Sequence, residues 1–175
     1  MKKFIALLFV LVSINSYAQT LDVAYKSYGS NNYYTMTVIK PTVMNFITLL
    51  SLDEASFVSV MKKYKYFEED NGGKYRTFGN GSLDNYAYAH CANSYSYSMT
   101  RDEIRFFVAK EMIYPSTAMT DLYRELRPYY KDSKPNDQGG SIDLYMFNYG
   151  NSSYSFFITI YPKYYDVTVV KDWQN

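Results

Sequence analysis

The stretch Gly81-Ser82-Leu83-Asp84-Asn85-Tyr86-Ala87-Tyr88 returns 59 residues later as Gly140-Ser141-Ile142-Asp143-Leu144-Tyr145-Met146-Phe147. At the same offset Ser94–Thr100 lies over Ser153–Thr159 with no gap. Eight of the twenty positions from Gly81 to Thr100 are identical, and Leu/Ile, Tyr/Phe and Met/Ile exchanges keep the same alternation at others. A chain that repeats itself in this way is committed to building one kind of unit twice, and the alternation makes that unit rich in strands.

The N-terminus reads as a secretory signal peptide over residues 1–18. Lys2-Lys3 supplies the basic region, Phe4 to Val12 the apolar run, and Ser16 and Ala18 the small residues before cleavage near Ala18-Gln19. The run is about half of the roughly 20 residues a membrane span needs, so no span is expected in the mature chain. The expectation is an exported protein, periplasmic or extracellular, whose residues 19–175 form one domain. Without Lys2 and Lys3, sixteen basic residues face seventeen acidic ones, a charge of about −1 that leaves no footprint for nucleic acid. The single cysteine, Cys91, excludes an internal disulfide, and with His90 as the one histidine no structural zinc site can be built.

Along the mature chain, Asp22–Tyr28 and Tyr33–Lys40 predict a hairpin (21–40) around Gly29-Ser30-Asn31-Asn32. The apolar run from Thr42 to Leu50 reads either as a buried strand or as a short helix. Ser51-Leu52-Asp53-Glu54 has the form of a capping box. The helix after it carries Phe57, Val60, Met61 and Tyr64 on one face. A second helix is expected from Ser116 or Thr117, with Met119, Leu122, Tyr123 and Leu126 at the same spacing and Pro128 ending it. Lys131 to Gln138 reads as a polar loop. Strands follow near 142–149, 153–161 and 164–171, matching 94–100 and 104–110 in the first copy. The predicted class is α+β: two tandem helix-plus-antiparallel-sheet repeats (αβββ twice, about 51–110 and 116–171) preceded by the hairpin, with the helices on one face.

Tyrosine accounts for 22 of 175 residues, most of them in predicted strands. Tyr86, Tyr88, Tyr145, Phe147 and Tyr149 occupy corresponding positions in the two copies, on the side expected to face away from the helices. Tyrosine gives large contact area at small entropic cost, which suits a recognition surface. The same rings also serve as cross-strand pairs on any sheet, so both readings stand. His90 and Cys91 are strand neighbours that point to opposite faces and make no nucleophile pair. Glu68, Glu69 and Asp70 lack the spacing of a calcium loop and read as a solvated turn. Asp84 and Asp143 follow a Gly-Ser and read as turn-fixing side chains. No motif of a hydrolase, a metalloprotease or a nucleotide-binding loop occurs, so neither a catalytic residue nor a cofactor is expected.

An exported chain built from two such units, with a tyrosine-rich sheet face over Ser51 to Lys171, resembles the tandem-repeat architecture of the β-lactamase inhibitory proteins. The resemblance implies a sheet surface that grips another protein through aromatic residues, here Tyr86, Tyr88, Tyr145 and Phe147. Exported immunity proteins that neutralise a toxin fit the same description. The expected function is a non-enzymatic binding module for a protein partner, as inhibitor or immunity factor. The alternative is a binder of glycans or another small ligand, since tyrosine rings also stack on sugars.

Overall fold

The computed structural model describes residues 20–28, 34–70, 76–79, 95–100, 102–110 and 113–172. Residues 1–18, read as a signal peptide, the first copy of the repeated stretch with Tyr86 and Tyr88, and Asp84, His90 and Cys91 lie outside the described residues.

The fold is α+β with antiparallel sheets. The expected hairpin forms from β1 (Val23–Tyr28) and β2 (Tyr34–Ile39), paired from Val23↔Ile39 to Tyr28↔Tyr34 as a small separate sheet. Among the described residues three α-helices follow in chain order: α1 (Val43–Leu50), α2 (Glu54–Lys63) and α3 (Ala118–Leu126). Among the described residues the main sheet has eight strands: β3 (Phe67–Asp70), β4 (Arg76–Gly79), β5 (Tyr95–Met99), β6 (Glu103–Ala109), β7 (Tyr130–Asn136), β8 (Gly140–Tyr149), β9 (Ser152–Ile160) and β10 (Tyr164–Lys171). Its order is β3-β4-β5-β6-β10-β9-β8-β7, so β6 and β10 meet in the middle and each flank is a run of consecutive hairpins.

The segment that read either way, 42–50, is a helix. The Thr42 side chain accepts the Asn45 N–H at 3.2 Å and caps its start. The helix is mostly apolar because most of it is packed inside: Phe46 and Leu49 are fully buried, Phe46 meets Phe106 and Phe156 edge-on, and Met44 alone among its large side chains is exposed. Its one buried polar side chain, Asn45, has every group engaged. Oδ1 accepts the Asp22 N–H at 2.9 Å, and Nδ2 donates to the Asp22 and Lys40 carbonyls, each at 2.8 Å. The amide thus ties the hairpin's open end to α1. From α3, the Glu125 carboxylate accepts the Val43 N–H at 2.9 Å and joins the two helices.

Two further expectations need correction. The start of α2 is capped by Asp53, whose carboxylate accepts the Ser56 N–H at 2.7 Å; Ser51 instead closes the C-terminus of α1. With a helix on each side of Ser51-Leu52, the residue nearest the second helix takes the cap. Residues 131–138 were expected as a loop, yet β7 spans 130–136 and pairs with β8. Its residues are almost all exposed, as an edge strand's are, and Pro135 sits where no ladder donor is required. Pro128 does end α3, in a single 3-10 turn over Arg127–Tyr129.

All three helices pack on one face of the main sheet. The core joins Phe57 and Met61 of α2 and Met119, Leu122 and Leu126 of α3 to Tyr97, Ile104, Phe106, Phe156, Ile158, Val167 and Val169 on alternate strand positions.

Candidate functional site

Three of the five predicted recognition residues are described, and alternation along β8 does put Tyr145, Phe147 and Tyr149 on one face. It is the face that carries the helices, which corrects their expected orientation toward the open side. Tyr145 is only 5% exposed and lies edge-on to Tyr123 of α3, 6.4 Å between centroids. Phe147 packs against the core among Tyr129, Tyr154 and Phe156. Tyr149, at the strand's end beside the Gly150 turn, is exposed. The sequence misleads here because β8 has no polar side to mark: Ile142, Leu144 and Met146 on its other face are as apolar as the rings. Asp143 is also reassigned. It lies within the strand and accepts a 2.6 Å hydrogen bond from Ser133 Oγ on β7. Glu68, read as part of a turn, lies in β3 and pairs with Arg76, which Glu54 of α2 also holds.

Around Tyr145 the helix and sheet part to leave a hollow of about 410 Å³, lined by Thr120, Tyr123, Arg124, Arg127, Tyr130 and Tyr145. Tyr145 sits between two other phenols, with Tyr130 edge-on at 5.7 Å. Arg124 pairs with Asp121 one turn earlier at 3.0 Å, while Arg127 forms no ion pair among the described residues. The Tyr123 hydroxyl is buried without a hydrogen-bond partner. Burial, reinforced by the Asp143 carboxylate, pushes the Tyr145 phenol up to about 12 and raises Tyr123 further. Both stay neutral throughout the physiological range. Of these lining residues only Tyr145 was singled out from sequence as a site residue. The available signal for the rest was Arg124 and Arg127 at i, i+3 beside the apolar stripe of α3.

The opposite face of the sheet has no described helix against it. Register places there Leu144 opposite Phe157, Phe157 opposite Thr168, Thr168 opposite Arg105, and Arg105 opposite Ser98. Across its middle Arg105 donates to the Asp166 carboxylate, a bond in which Asp166 is largely buried. At one end Phe107 meets Tyr164 at a tilt, 4.6 Å between centroids, and Tyr164 stacks on Tyr161 at 4.1 Å. Phe107 is 39% exposed and Ile142, at the other side, 36%. Much of the rest is hydroxyl: Thr77, Ser98, Ser153, Thr159 and Thr168 are half-buried, with Thr77 and Ser98 bonded to each other at 2.9 Å, while Ser155 is buried.

Among the described residues no three His, Cys, Asp or Glu side chains gather where a metal ion could sit, and no helix is long and apolar enough to cross a membrane. Compared with protein-family models, curated proteins and solved structures, the chain matches none. What it does must be argued from its own surfaces.

Proposed function

We propose that this chain is an exported, non-enzymatic binding module that recognises a protein partner, and that it does so with the sheet face opposite the helices. The observation that carries the reading is the composition of that face. Exposed apolar residues at both sides, Phe107 and Ile142, flank an Arg105–Asp166 pair and rows of hydroxyls. A broad surface with apolar anchors and a polar setting suits a protein rather than a small molecule, which prefers a concavity. Export to the periplasm or cell exterior, and action as an inhibitor or immunity factor in the manner of the β-lactamase inhibitory proteins, belong to the same proposal. So does descent from two helix-plus-sheet units: the strand order supports it by setting β3 to β6 against β7 to β10 across the β6/β10 seam, though each half holds four described strands where the αβββ repeat expects three.

The test is capture with residues 19–175 as bait, beside a Phe107→Ser/Ile142→Ser variant. Both positions are solvent-exposed, so the variant should keep a cooperative melt. One protein held by the wild type and lost from the folded variant is the expected result. A protein held equally by both would overturn the assignment of the face, and an empty capture would overturn the protein reading. A second reading, glycan binding, is favoured by the Phe107–Tyr164–Tyr161 cluster beside hydroxyl rows. It requires saturable quenching of tyrosine fluorescence by a soluble glycan, lost in Tyr164→Ala.

A further inference from the structure

We propose that the hollow between α3, β7 and β8 is a second binding site, on the helix side of the sheet, for a small organic anion: a carboxylate joined to a flat apolar body. Three features converge on this class. The walls are aromatic: Tyr123, Tyr130 and Tyr145, the last edge-on to the other two, line a space of about 410 Å³, the size of a small-ligand site. The polar groups lining it are guanidinium and hydroxyl, with no carboxylate among them. Asp121 offsets Arg124, so Arg127 at the rim is the cation left to meet a ligand's charge; Asp143, outside the lining and bonded to Ser133 Oγ, keeps its negative charge behind the inner phenols. Finally, the Tyr123 hydroxyl is buried with no acceptor in the protein. Such a group costs the fold free energy unless something supplies its partner, and an acceptor pressed into the floor of the hollow would do so. Both inner phenols hold their protons throughout the physiological range, so they can donate to an anion.

A planar guanidinium favours carboxylate, because two parallel N–H groups match its two oxygens. The tyrosine walls add affinity for a ring that a bare anion cannot gain.

The experiment is titration of the folded chain with phenylacetate, phenylacetamide and inorganic phosphate, followed by NMR. Phenylacetate should move the α3 and β8 signals saturably. The isosteric neutral amide should bind about tenfold more weakly, as loss of one charge-assisted pair implies, and phosphate should not saturate. Arg127→Gln should cost phenylacetate a similar factor. Tyr123→Phe should weaken binding while leaving the melting temperature equal or higher, since it removes an unmet hydroxyl. Equal affinity for acid and amide, saturation by phosphate alone, no saturable shift with any probe, or unchanged affinity in either variant would overturn the assignment.

Discussion

At Ile39 the backbone faces away from the hairpin ladder, and two tyrosines from the main sheet's side complete it. Tyr66 Oη accepts the Ile39 N–H at 3.0 Å, and Tyr97 Oη donates to the Ile39 carbonyl at 2.9 Å; both rings are buried. Tyr66→Phe would leave a buried N–H without its acceptor and should lower stability by about 1–3 kcal/mol in chemical denaturation. Tyr97→Phe spares a carbonyl with two lone pairs and should cost less, and because both act on one residue the double variant should depart from additivity. Equal, independent losses would contradict this. Tyr145 allows a pH test. An unfolded tyrosine ionises near about 10, and the folded phenol is pushed up to about 12. A folded value above the unfolded one means that its contribution is whole below the unfolded value and fades as pH rises through the folded one. The melting temperature should therefore fall across that alkaline window, and fall less in Tyr145→Phe. Identical alkaline profiles would mean that Tyr145 titrates as in the unfolded chain.

At the scale of elements, legibility followed the contrast between faces. α2 and α3 could be read because apolar residues at i, i+3, i+4 stand against charged ones, and Phe57, Met61, Met119, Leu122 and Leu126 are all buried as that spacing requires. α1 could not be distinguished from a strand, since a short, mostly buried apolar run gives too little polar contrast to fix its period. β7 was missed because an exposed edge strand has no apolar alternation, its Lys131, Lys134 and Pro135 being what protects an edge from pairing further. β8 was found, but its facing was inverted because both of its sides are apolar. Gly140 at its start has a role that repetition alone did not reveal. A Cβ there would come 1.6 Å from the Ile160 carbonyl oxygen of β9, so the backbones meet where no side chain fits. Gly140→Ala should force the two strands apart and destabilise the fold by about 1–3 kcal/mol, the usual cost of overpacking. A melt unchanged from wild type would refute the close approach.

For the whole molecule, the decisive arrangement is one sheet of eight described strands with the described helices and hairpin all on the same side. That side holds the core and, at its margin, the tyrosine-lined hollow; the other holds the Arg105–Asp166 pair, the hydroxyl rows and the Phe107–Tyr164–Tyr161 cluster. The packed side accounts for why Phe147 cannot serve as a free anchor. Phe147→Ala, which empties space among Tyr129, Tyr154 and Phe156, should lower stability by about 3 kcal/mol, against well under about 1 kcal/mol for Phe107→Ser, and denaturant midpoints would rank the two. The most direct measurement of where recognition occurs is oxidative footprinting of side chains in the captured complex. Met146, Phe107 and Tyr164 should lose reactivity when the partner binds, while Tyr25, Met44 and Tyr129 keep theirs. Protection confined to Tyr129, Tyr130 and Tyr149, with Phe107 and Tyr164 as reactive as in the free protein, would place the partner on the helix side and contradict the proposal.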